Sequence, residues 1–146
     1  MSRGSPPRPY QDMAREKTPQ GSRRTLAMKP ATHRRVAQAT AQLRSARLYF
    51  HDAIHHAWDV TRDQGSPTVE ARIDVRLATT HAVNTSVEVI DSLYTLAGGT
   101  SVYLRSPLQR HFRDIHVATQ HMMVNESTLE LVGRIQMGLE TNISQL

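Results

Sequence analysis

Residues 36–60 read VAQATAQLRSARLYFHDAIHHAWDV, and in that run Val36, Ala39, Leu43, Ala46, Phe50, Ala53, Ala57 and Val60 follow one another by alternating steps of three and four. A helix turns once in 3.6 residues, so these side chains fall on one stripe that must be covered by other helices. The alanines in the stripe leave room for a close neighbour. The pattern predicts a long helix from about Ala31 that stops at Gly65-Ser66-Pro67, where glycine accepts a left-handed backbone and proline cannot continue a helix.

Downstream, Thr68 to Ala97 carries two interleaved apolar series, Ile73, Leu77, Val87, Ile90, Tyr94 and Val75, Ala78, Ala82, Val89, Leu93, Leu96. A helix apolar on two sides is central to its fold. Gly98-Gly99 ends it, and Thr100 to Arg105 reads as a short crossing loop or extended turn. Ser106-Pro107-Leu108-Gln109 then has serine at the N-cap, proline at the first helical position and glutamine three residues after the cap, the pattern of a capping box. The helix it starts, drawn on to His121, is expected to bury Leu108, Phe112, Ile115 and Met122. A second box, Ser127 to Glu130, opens a last helix to Leu139 with Leu129, Val132, Ile135 and Leu139 inward. No strand-like alternation occurs, so residues 31–146 are expected to be an all-α, antiparallel four-helix bundle.

Upstream the composition changes. Nine Lys/Arg stand in the first 35 residues against Asp12 and Glu16, so the net charge of +5 over the 146 residues lies entirely in this leader. Rich in Pro, Gly and Ser and poor in apolar residues, residues 1–30 are expected to be disordered. A basic arm touching RNA or a membrane is one reading of them; a tail without a specific role is the plainer one. The absence of cysteine excludes disulfides and thiolate chemistry and suits a cytoplasmic protein. No apolar run approaches the roughly 20 residues that span a bilayer, and nucleic acid and membrane are not the expected partners.

Eight histidines invite a search for metal. His51 and His55 have chelating spacing, but no third ligand is nominated, and no metal site is expected. Neither a Walker loop nor a strand-borne GxGxxG is present. The stretch SPLQRHFRDIHVATQH, residues 106–121, is different. It follows the bare backbone of Gly98-Gly99, begins with a capped helix N-terminus, and adds Arg110 and Arg113 to the nearby Arg105, a setting suited to an anion or a flat ring. Arg110 and Asp114 lie one turn apart, so an ion pair explains them equally well.

The run YTLAGGTSVYLRSPLQRHFRDIHVATQH, residues 94–121, followed by GRIQMG, residues 133–138, resembles the C-terminal helical domain of the acyl-CoA dehydrogenase superfamily. Within it the likeness is greatest to the oxygenase components of two-component flavin-dependent monooxygenases, the group of the 4-hydroxyphenylacetate and dibenzothiophene enzymes. It covers about residues 31–141. The resemblance implies homo-oligomers, dimers or tetramers, and a reduced FMN or FAD cofactor delivered by a separate flavin reductase. It places Gly98, Gly99, Thr100 and Arg110 against the flavin, makes Arg113 and Asp114 a structural ion pair, and sets His121 beside flavin and a small aromatic substrate as the catalytic residue, there to deprotonate a phenol or to hydrogen-bond a flavin peroxide. Dehydrogenases of the superfamily carry a glutamine three residues before the glycine pair and a Glu-Gly-Thr near residue 121; Thr95 and His121-Met122-Met123 stand there instead, which favours the oxygen-using branch. The family's N-terminal and middle domains have no counterpart here. The expectation is therefore a C-terminal flavin-facing and oligomerising domain of a truncated or partial chain, set against a catalytically inactive helical assembly module.

Overall fold

The computed structural model describes residues 8–144 and 146. Among them the secondary structure is wholly helical. The α-helices are α1 (Arg8–Glu16), α2 (Pro30–Gln64), α3 (Val69–Ala97), α4 (Pro107–Ala118) and α5 (Glu126–Gln136), with short 3-10 turns at Leu26–Met28 and Gly98–Val102. Four of them stand where the sequence placed four helices. The chain forms two compact units, Met1–Arg44 with Ser86–Ile115 and Ser45–Thr85 with His116–Leu146.

The first unit overturns the expectation of a disordered leader for residues 8–30; residues 1–7 lie outside the described ones. Tyr10, Ala14 and Leu26 are buried with Ala39 of α2, Val89, Leu93 and Ala97 of α3 and Leu108 of α4. Tyr10, Met13, Ala14 and Lys17 recur at one-turn spacing, which lays α1 on that core by a single narrow stripe. Lys17 completes the attachment, its ammonium donating to the carbonyl of Ala97 at the C-terminal end of α3, where the helix leaves carbonyls unpaired and partially negative. Burial lowers the Lys17 pKa from its ordinary value. Between α2 and α3, Arg35 donates to Ser92 (3.0 Å) and Gln42 to Glu88 (3.3 Å), an antiparallel pairing.

In the second unit the α2 stripe continues through Ala46 and Ala53, both fully buried. α3 meets this unit with Ala71, Ala78 and Thr80, and Tyr49 donates to Asp74 at 2.6 Å. Thr80 and Thr79 turn their hydroxyls onto the carbonyls one helical turn back, which lets polar side chains face the interior without orphaned groups.

Helix ends follow local chemistry. Gly65 has φ +81°, the left-handed stop expected of it. Thr68 precedes α3, and its hydroxyl accepts the Ala71 N–H (3.2 Å). Thr68→Ala is expected to lower stability by about 0.5–2 kcal/mol, measured as the midpoint of urea unfolding. The box expected at residues 127–130 is not formed. α5 begins two residues earlier behind Asn125, because Val124, Thr128 and Val132 then align one turn apart and are all buried. That register leaves Leu129 and Leu139 exposed, contrary to expectation. α5 ends at Gln136, with Gly138 at φ +70°, its N–H on Ile135 and that of Leu139 on Arg134, the double bond of a Schellman turn.

Candidate functional site: the glycine turn

α3 ends at Ala97, and the chain turns on Gly98, whose φ of +57° lies in the left-handed region. The five residues Gly98–Val102 wind into a 3-10 turn rather than a loose crossing loop. Ser101 holds it: fully buried, its hydroxyl reaches the carbonyls of Gly98 (2.6 Å) and Tyr94 (3.1 Å), sharing one proton between them. Gly98, Gly99 and Thr100 are exposed above it. A Cβ added at Gly99 would meet nothing within 4 Å, and one at Gly98 would meet Lys17 Nζ at 3.6 Å. The turn is thus a bare backbone surface on a fixed base.

Tyr103 and Arg105 follow, the guanidinium 5.2 Å above the ring. α4 then starts at Pro107 as expected, with Leu108 buried and Phe112 packed on Tyr94 at 4.5 Å between ring centres. The reciprocal half of its capping box is absent: the Ser106 N–H donates to Tyr103, and the Gln109 side-chain oxygen is buried with no partner. Beside the turn lies a cleft of about 270 Å³ lined by Thr100, Arg105, Ser106, His111, Tyr10 and Leu93 among others. It is small for an aromatic cofactor, and its lining includes hydroxyls, a guanidinium and an imidazole.

The first unit therefore brings Gly98, Gly99, Thr100 and Arg110 into one short segment, with Arg110 exposed in the first turn of α4. Arg113 and Asp114 are also exposed, and the expected ion pair is not formed. The ion pairs among the described residues join Arg62 to Asp59 and Asp63. His121 is not on α4 at all. The helix stops at Ala118, and His121 lies exposed in the turns before α5, within the second unit; Met122 is exposed there too. Its Nδ1 accepts the Met123 N–H (3.2 Å), so the neutral ring carries its proton on Nε2. Among the described residues no group of three or more His, Asp or Glu side chains forms a metal site, and no helix is long and apolar enough to cross a membrane. Sequence reasoning missed Ser101, Lys17 and the seat of Arg105. A small hydroxyl residue after a glycine pair was a usable signal for Ser101; nothing local connects Lys17 to a carbonyl 80 residues away.

Comparison with known proteins bears on the same segment. Residues 8–126 match the family of the acyl-CoA dehydrogenase C-terminal domain, and the match begins where α1 begins. The chain is 36% identical over 113 residues to indole-3-acetate monooxygenase of Pseudomonas putida, covering 77% of this chain and 29% of that protein. It is 32% identical over 115 residues to the indole-3-acetate monooxygenase of Acinetobacter baumannii, covering 79% and 30%. With the oxygenase component of p-hydroxyphenylacetate 3-hydroxylase from Acinetobacter baumannii it shares 32% over 111 residues, 73% of this chain and 25% of that one. The chain thus spans less than a third of the length of these relatives. With its helices, its glycine turn and the match over most of its length in agreement, it belongs to the acyl-CoA dehydrogenase C-terminal domain family.

Proposed function

We propose that this chain is the flavin-facing and subunit-joining part of a monooxygenase, with the glycine turn as its cofactor surface. The observation that carries the reading is the exposed, side-chain-free backbone of Gly98-Gly99, braced by Ser101 and flanked by Arg105 and Arg110. A flavin phosphate fits such a place: backbone N–H groups come close where no Cβ intervenes, and guanidinium groups supply charge. The neighbouring cleft of about 270 Å³ is below the usual size of a ligand pocket, so these residues make one wall for reduced FMN or FAD and leave the ring to surfaces outside this unit. When bound, the flavin supplies the electrons that activate oxygen. Gly98, Gly99 and Thr100 hold its phosphate side, and Arg110 neutralises it. A separate reductase is the source of reduced flavin, and the cytoplasm is the setting. If the reading holds, reduced FMN slows amide hydrogen exchange at residues 98–102 several-fold under anaerobic conditions. Unchanged exchange there removes it.

Assembly through copies of this chain is the second half of the reading. Leu48 and Trp58 on α2 and Val102, Tyr103 and Leu104 after the glycine turn are large apolar side chains left in solvent, Leu104 at 81% exposure. Exposed large apolar side chains, in each unit, are the material of contacts between chains. Light scattering is expected to give a mass of two or four chains, falling to one in Leu104→Glu with Trp58→Glu. A monomeric parent chain contradicts it.

A further inference from the structure

The stripe that α2 buries has an exposed counterpart on the opposite side of the same helix. Leu48, His51, His55 and Trp58 all lie in the second unit, follow one another by steps of three, four and three, and are all exposed, Leu48 and Trp58 at 71% each. Such steps set four side chains in one line, at the spacing by which one helix packs along another. The order reads the same from either end: one large apolar side chain stands three residues before the first histidine and another three residues after the second. The rings of His51 and His55 are 6.2 Å apart and tilted by 34°. Two imidazoles one turn apart can chelate a metal ion, but zinc takes four ligands, and among the described residues no third His, Asp or Glu joins them in one chain.

We propose that His51 and His55 are half of a zinc site, completed by the same two histidines of a second copy of this chain. The site rests on the assembly of copies proposed above, and it gives that assembly a centre. A two-fold contact uses one surface patch on both copies, so the patch must complement itself. The palindromic stripe does so. With two α2 helices antiparallel about an axis midway between residues 51 and 55, each Trp58 lies on Leu48 of the other copy, His51 faces His55, and four imidazoles gather at the axis. A shift by one heptad sets histidine against Leu48 or Trp58 and leaves the ligand set incomplete. Both histidines are exposed, so their rings can turn to bring nitrogens to the bonding distance of about 2.0–2.1 Å. A donor set of imidazoles alone suits zinc and its neighbours in the transition series, whereas calcium and magnesium require oxygen. The apolar ends shield the ion from water at the contact.

The test uses the intact, untagged chain, stripped of metal with EDTA. Calorimetric titration with zinc is expected to saturate at one ion per two chains, and cobalt(II) in its place is expected to give the strong visible absorption of a tetrahedral ion. His51→Gln and His55→Gln, both at exposed positions, each weaken zinc binding at least ten-fold. Saturation at one ion per chain, the weak absorption of octahedral cobalt, or unchanged affinity in His55→Gln overturns the proposal. Light scattering on the same samples separates the two readings. A metal-free chain with a mass of two or four that takes up no zinc overturns the zinc site and leaves the assembly standing; a chain that is monomeric with and without zinc overturns both.

Discussion

Tyr10→Ala is expected to lose about 3–5 kcal/mol of stability in urea unfolding, the cost of deleting a fully buried aromatic side chain. Tyr10 is 3% exposed and touches the core that α1, α2, α3 and α4 share in the first unit. Its hydroxyl is buried without a partner, so Tyr10→Phe keeps the packing, removes an unsatisfied polar group and holds or raises stability. The pair separates the ring from the hydroxyl. Burial pushes the Tyr10 pKa up to about 12, with Arg35 pulling the other way. Burial, then Asp74, pushes Tyr49 up to about 12 as well. Both raised values mean that the fold prefers the neutral phenol. Their contribution is complete below about pH 10, the unfolded value, and is lost as pH rises from there through 12. Tyr10→Phe flattens the Tyr10 share of that decline. An alanine variant as stable as the parent would show that residues 8–16 do not belong to the domain.

Ala53→Leu is expected to cost about 1–3 kcal/mol, because three added carbons at a position 1% exposed have nowhere to go in the close packing around α2. Ala41→Leu makes the same chemical change on the exposed face of the same helix and is expected to stay within about 0.5 kcal/mol of the parent. Equal midpoints for the two variants in thermal unfolding would mean that the alanine stripe is not what holds the helix in place.

The contrast between these alanines is visible in the sequence, and so is much of the fold. The steps of three and four from Val36 to Val60 name the buried face of α2 residue by residue, and Gly65 and Pro107 mark a stop and a start through their backbone limits alone. α1 escaped because its composition is that of an unfolded chain. Three buried residues, Tyr10, Ala14 and Leu26, outweigh the arginines and prolines around them only once α2, α3 and α4 provide a surface to bury them against. The start of α5 was ambiguous for a related reason. Asn125 and Ser127 are both good caps, and the one-turn series Val124, Thr128, Val132 chose between them. The glycine pair was legible as a turn, while the buried serine and distant lysine that fix its base depend on tertiary contacts. The separation of His121 from α4 was not legible either, since helix-compatible residues continue past Ala118 where the helix does not.

The role proposed for the bare turn at Gly98-Gly99 is to face a flavin. Gly99 allows a clean test: its φ is ordinary and a Cβ there touches nothing, so Gly99→Val leaves the fold intact while covering the backbone. Calorimetric titration of the chain with reduced FMN under anaerobic conditions is the direct measurement. Saturable binding that Gly99→Val weakens at least ten-fold, with the unfolding midpoint unchanged, is the expected result; no saturable binding, or equal affinity in parent and variant, overturns the proposed role of the turn.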